Sequence, residues 1–328
     1  MNIQNTLTSL NLSKINKLIK PTQTALTAFA IGSIANVATD TFVESPKARI
    51  FREYSKKIAE ASCYEDFTII AHEMQDLIDD TLKQELINKY VSRYESFYNE
   101  LFANKNTKPQ VLFNQIFEKD LSEEEAKSLE NTYKEIIEEP DFYKFLSRLF
   151  VQAKKDFDLD YFDTKLELKC KEEKNKVGMR GGSSCFLDYI ILNFFADDPL
   201  NRRKAFETIM HELKHLKQNE NAITVDPEKY IMALFSRNPL MEPKEIKQII
   251  GEDKIKTILE KNENKRKDQK FYEQGLNYIK NIKNYFSFSK DFCPEVFLRY
   301  KKQLIEREAY EVSELAGELF YSLNGNSI

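Results

Sequence analysis

At 328 residues, 41% hydrophobic and 12% aromatic, the chain has room for one large domain, or for a catalytic domain with an appended one. Its net charge of −4, with acidic and basic residues interleaved, argues against nucleic acid as the main partner, because phosphate binding shows as a basic excess or stripe. Only 8 glycines and 9 prolines favour long helices over a β-sandwich, and four dispersed cysteines (Cys63, Cys170, Cys185 and Cys293) exclude a disulfide framework.

Residues 1–45 read as a leader or a peripheral segment. Within them, 24–38 (TALTAFAIGSIANVA) is a long uncharged run, short and polar for a membrane span, which needs about 20 apolar residues. Lys14, Lys17 and Lys20 ahead of it, and the small residues around Ala35 and Ala38, give it a weak signal-like character. No stable membrane insertion is expected, and the compartment, cytoplasmic or secreted, stays open. From 46 to 160 the pattern predicts a helical domain. Ile50, Phe51, Tyr54, Ile58 and Ala61 recur at helical spacing, and a longer stripe runs from Leu77 to Leu101. Ser122 and Glu125 form a capping-box signature ahead of a helix to Glu139, ended by Pro140, and the helical period resumes from Phe142 to Ala153.

Residues 161–328 change texture. Lys165 to Cys170 alternates polar and apolar residues as a half-buried strand does, and Phe186 to Phe195 is an almost wholly apolar second strand. The glycine-rich stretch between them, Val177 to Ser184, reads as a turn, which predicts an antiparallel pair. Arg202 to Asn219 then fits a helix with Phe206, Ile209, Met210, Leu213 and Leu216 as its apolar stripe, and the remainder is helical, ending in a helix from Leu304 to Leu323. The expected fold is α+β, predominantly α-helical, with a small antiparallel sheet beside an active-site helix.

That helix carries His211-Glu212-Leu213-Lys214-His215 and so two of the three histidines in the chain. Four residues make about one turn, so both imidazoles lie on one side, away from Ile209 and Leu213. In an H-E-x-x-H motif the two histidines ligate Zn²⁺, and the glutamate is the general base on the water that the metal activates. A catalytic zinc needs a third protein ligand. His72 lies far upstream in a helical region and reads as a structural histidine, which leaves a carboxylate on a later helix.

On these residues the chain resembles the zincin metallopeptidases, in particular those whose third ligand is a glutamate, the gluzincin arrangement. In many of them that glutamate begins an E-x-x-A-[DN] or E-x-x-x-D pattern on a downstream helix. Glu306-Arg307-Glu308-Ala309-Tyr310 matches it with tyrosine where Asp or Asn is commoner. The resemblance implies Glu306 as third ligand, with Glu308 next and Glu311 after it, a polypeptide substrate, and a zincin-like fold for about the second half of the chain. It also implies that substrate pairs with a strand edging the cleft, either Cys185 to Asn193 or its hairpin partner. Tyr285, Arg299, Tyr300 and Tyr310 lie in neighbourhoods suited to stabilising an oxyanion, without any one of them being singled out. The expected function is a zinc metalloendopeptidase, and a motif-free helical half joined to a minimal peptidase suits a secreted bacterial toxin or effector protease. The alternatives are a helical interaction protein with a degenerate or regulatory zinc site, and a zinc hydrolase acting on a non-peptide amide.

Overall fold

The computed structural model describes residues 45–75, 77–102, 105, 107–171, 180–195, 201–286 and 294–324. The 24–38 segment and the side chain of His72 lie outside what is described. Among the described residues, no helix is long and apolar enough to cross a membrane.

Helices dominate. The first three, α1 (Pro46–Glu60), α2 (Tyr64–Gln75) and α3 (Asp80–Phe102), close over an apolar cluster of their own built on Ile58, Phe67, Met74, Leu86, Tyr90 and Tyr94. Phe67 anchors it, meeting the rings of Tyr90 and Tyr94 edge-on at 5.6 and 4.9 Å between centroids. Next come α4 (Pro109–Phe117), α5 (Glu123–Ile137) and α6 (Phe142–Asp156). The capping box expected from Ser122 and Glu125 starts α5: each side chain bonds the other's backbone N–H. These three helices share one continuous core with β3 and most of the helices that follow, from Leu112 through Ile190 and Phe206 to Leu323.

The sheet corrects one expectation. Three strands, β1 (Lys165–Lys171), β2 (Arg180–Ser183) and β3 (Tyr189–Phe195), lie in the order β1-β3-β2. β1 pairs with β3 in parallel, Lys165 opposite Tyr189, while β2 pairs with β3 antiparallel, Gly181 opposite Leu192. The sheet is therefore mixed, and the glycine-rich stretch read as a turn contributes a strand. The error has a physical cause: glycines carry no side chain, so β2 shows no apolar–polar alternation to announce it. The hairpin lies between β2 and β3, where Ser184 N–H bonds Tyr189 C=O and Leu187 takes a positive φ of 63°.

The long helix α7 (Asn201–Val225) runs through the middle of the larger core. Phe206, Ile209, Met210, Leu213 and Leu216 are all fully buried, each contributing roughly 1.5–3 kcal/mol of apolar burial. It outlasts the expected end at Asn219 because Ala222, Ile223 and Val225 extend the buried stripe. Asp226 then stops it and caps α8 (Pro227–Arg237), its side chain accepting from Lys229 N–H at 3.0 Å. After α9 (Pro243–Ile250) and α10 (Glu252–Lys261), α11 (Gln269–Lys283) crosses the end of α7 at Gly275, where an added Cβ would meet Val225 Cγ2 at 2.4 Å. Two more helices, α12 (Pro294–Lys301) and α13 (Leu304–Leu323), complete the fold, with α13 lying along α7.

Candidate metal centre

The close packing of α13 on α7 brings the first turn of α13 against the middle of α7. His211 Nε2 and His215 Nε2 point at each other, 3.1 Å apart, with their rings nearly perpendicular. Glu306, 2% exposed, places Oε2 at 3.5 Å from His215 Nε2 and 3.7 Å from His211 Nε2. Its other oxygen, Oε1, accepts from Tyr285 OH at 2.6 Å. Glu306 Oε2 has no hydrogen-bond partner among the described residues. A buried carboxylate oxygen left in this state costs stability unless something charged completes it.

The spacing fits a zinc ion. Ligand atoms about 2.0–2.1 Å from a tetrahedral metal stand roughly 3.3–3.4 Å from one another, and the observed separations of 3.1, 3.5 and 3.7 Å bracket that edge length. The donor set, two imidazoles and one carboxylate, is one that catalytic zinc takes with a position to spare. Among the described residues these three form a group whose ligand atoms all lie within 4.8 Å of one another.

The surroundings fix the histidine tautomer. Gln218, 2% exposed, donates its amide nitrogen to Ile305 C=O at 3.0 Å and to Glu308 Oε2 at 3.1 Å. Its amide oxygen then faces His215 Nδ1 at 3.0 Å, so Nδ1 carries a hydrogen and the lone pair of the neutral ring sits on Nε2, turned towards His211 and Glu306. Electrostatics act in the same direction. Burial pushes the His215 pKa down, but the charge and hydrogen bond of Glu306, helped by Glu212 and Gln218, raise it to about 9. Burial likewise pushes the Glu306 carboxyl up, and His215 and His211 more than reverse this and hold it well below the ordinary carboxylate range. The pocket thus favours positive charge beside an ionised carboxylate.

Glu212, 5% exposed, lines the same cleft, a space of about 230 Å³ walled by Gly181, Gly182 and Ser183 of β2 on one side and by Tyr285, Tyr300 and Arg237 elsewhere. Strand β2 approaches α7 so closely that a Cβ on Gly181 would fall 2.5 Å from Glu212 Oε1 and 2.6 Å from Thr208 Cγ2. Glycine at 181 is therefore a condition of Glu212 standing where it does. Neither strand expected at the cleft edge takes that place: β3 is central in the sheet, with both its sides paired, and β1, the expected hairpin partner, gives the cleft no lining residue, while the edge strand β2, read from sequence as a turn, borders it.

The remaining candidates separate. Glu308 does not join the histidines: it accepts from Gln218 and, at 2.6 Å, from Tyr278 OH. Glu311 is exposed and pairs with Arg307 at 3.7 Å. Tyr310, which stands where the gluzincin pattern more often has Asp or Asn, meets the His211 ring in a T-shaped contact with centroids 4.8 Å apart. Tyr285 and Tyr300 line the cleft, their hydroxyls 3.3 Å apart, whereas Arg299 lies over Phe286. Sequence reasoning missed Gln218, Gly181 and Arg237. Gln218 left a trace, standing three positions from His215 on the same helix face; the other two reach the cleft from separate elements and left none.

No protein-family model matches the chain, no curated protein matches it, and no solved structure matches its fold.

Proposed function

We propose that the chain is a zinc-dependent peptide hydrolase of the zincin type, in which His211, His215 and Glu306 hold the metal and Glu212 is the general base. The observation that carries this reading is the convergence of two imidazole nitrogens and one orphaned carboxylate oxygen beside Glu212 in one cleft. Bound zinc supplies a Lewis acid that polarises a carbonyl and lowers the pKa of water to about 7. Glu212 takes the proton from the attacking water on its carboxylate and delivers it to the leaving amine. Edge strand β2 orients an extended polypeptide by backbone hydrogen bonds, as an added strand would be held. Gln218 keeps His215 in the tautomer that offers Nε2, and Tyr285 holds Glu306 through Oε1 so that Oε2 stays free to ligate.

The test is zinc content by elemental analysis of wild type, His211→Ala and Glu306→Ala, with hydrolysis of a peptide mixture followed alongside. One zinc per chain in wild type, lost in both variants, together with peptide cleavage, is the expected result. No zinc after metal has been supplied would overturn it. Zinc bound without cleavage of any peptide would favour the interaction-protein alternative.

A further inference from the structure

We propose that Arg237 forms a carboxylate-binding subsite of the cleft, so that the substrate carries a negative charge close to the bond that is cut. This rests on the peptidase reading above and adds to it the chemical class of substrate.

The position of Arg237 is built. The Asp226–Pro227 turn reverses the chain after α7, and α8 is seated by Tyr230, Ile231, Ala233 and Leu234, all buried. Tyr230 OH also donates to Cys185 C=O at 2.5 Å, tying α8 to the loop that follows β2. The last residue of α8 is therefore delivered to the cleft wall, where Arg237 shares the lining with Glu212, His215 and Glu306. Its guanidinium carbon lies 4.4 Å from the centre of the Tyr285 ring, and that tyrosine is itself fixed by its hydroxyl to Glu306. One aromatic ring separates the cation from the metal-ligand carboxylate.

Its charge is not used by the fold. Arg237 is exposed and, unlike Arg93, Arg148 and Arg202, which donate to a carboxylate or a carbonyl, meets water as Arg49, Arg266 and Arg299 do; what sets it apart is that it is the one lysine or arginine among the described residues lining the cleft. Among the described residues no oxygen accepts from Arg237 and no carboxylate lies within 4.0 Å of it. A cation–π contact engages the face of a guanidinium and satisfies none of its five N–H donors. A planar fork of donors, held on an aromatic ring and open to the cleft, has the geometry that takes a carboxylate in two parallel hydrogen bonds. The cleft otherwise presents two carboxylates, Glu212 and Glu306, which would repel an acidic substrate; Arg237 marks where a negative group is accepted. That group is either an acidic side chain or the C-terminal carboxylate of the substrate.

The experiment measures binding, not turnover, on the full chain loaded with zinc. Two pairs of zinc-chelating dipeptide hydroxamates are titrated by calorimetry. One pair carries Glu or Gln as a side chain with the C-terminus amidated, and the other has a neutral side chain with a free or an amidated C-terminus. In wild type the carboxylate-bearing member of one pair binds about tenfold tighter than its amide counterpart, the size of one charge-assisted contact in a half-open site. Whichever pair shows the difference identifies the source of the charge. Arg237→Gln brings the two members to parity, and Arg237→Glu turns the preference towards a Lys-bearing hydroxamate; both variants hold as much zinc as wild type. Parity in both pairs with wild type, or a preference that survives Arg237→Gln, overturns the subsite while leaving the metal centre standing. Failure to take up zinc or to bind any hydroxamate overturns the metal centre and the subsite with it.

Discussion

Two clusters of buried charge sit on opposite faces of α7, and they are finished differently. On one face Lys217 Nζ lies 2.6 Å from Glu220 Oε2, while Tyr161 OH and Asn262 Nδ2 donate to Glu220 Oε1. Lys217 and Glu220 pair with each other, so that cluster draws its cation from within the chain. On the other face Glu306 is opposed by two imidazoles whose nitrogens stand 3.1 Å apart, too close for both to carry a proton there. The first cluster is closed by a cation of the chain's own; the second is open, because the proton on His215 that balances Glu306 can give way to a metal. Disturbing the first should cost stability and spare metal binding; disturbing the second should weaken metal binding.

The largest expected effect lies beside the open cluster. Glu212→Gln removes the proton acceptor, and peptide cleavage should fall by roughly 100- to 10,000-fold, the range of general acid–base catalysis, with zinc content unchanged by elemental analysis. A variant that keeps full activity would remove Glu212 from the chemistry. Glu220→Ala attacks the closed cluster. It strands Lys217 in a mostly buried site and should lower stability by roughly 3–5 kcal/mol in urea unfolding, with zinc still bound. Zinc lost with no change in stability would reverse the assignment of the two clusters.

Gly181→Ala pushes β2 against Glu212 and Thr208 and should reduce turnover by about 100-fold through displacement of the base, again with zinc kept. Gln218→Ala releases His215 Nδ1 and should weaken zinc binding by about 10- to 100-fold in a chelator competition. The smallest effect is a proton count. In the metal-free chain the His215 pKa is raised to about 9, so the stability it contributes is fully present below the ordinary value of 6.5 and is lost as pH rises through about 9. A metal must displace that proton. Zinc binding at pH 7, followed in buffers of different ionisation enthalpy, should therefore release about one proton per chain, and the affinity should climb with pH until about 9. An affinity flat between pH 6 and 9 would contradict this.

How far these features were legible in the sequence differs from residue to residue. The pair at 211 and 215 was legible because a helix turn converts a spacing of four directly into proximity. That Glu306 comes to lie beside them could be expected only from a family pattern, since nothing local says which of Glu306, Glu308 and Glu311 faces inwards. Helix packing decides it, turning Glu308 towards Gln218 and Tyr278 and leaving Glu311 in solvent. The helices announced themselves by period and cap, as at Ser122, while the sheet order did not. Parallel pairing of β1 with β3 depends on the path between strands, and β2 is built from glycines that carry no pattern. Arg237, the last residue of α8, and Tyr285, just beyond the end of α11, meet only through tertiary contact, which no local pattern announces.

Helix α13 has one further consequence. Its first turn carries Glu306, while its far end carries Glu318, bonded to Lys105 at 3.0 Å, and Tyr321, whose ring meets Phe102 of α3 at 5.8 Å. Between Glu306 and Tyr321 the helix spans roughly 20–25 Å as an unbroken rod. The three-helix unit at the front of the chain is thus fastened to the same beam that holds Glu306, the proposed third ligand, and a load applied where α3 ends would be transmitted along that beam to Glu306.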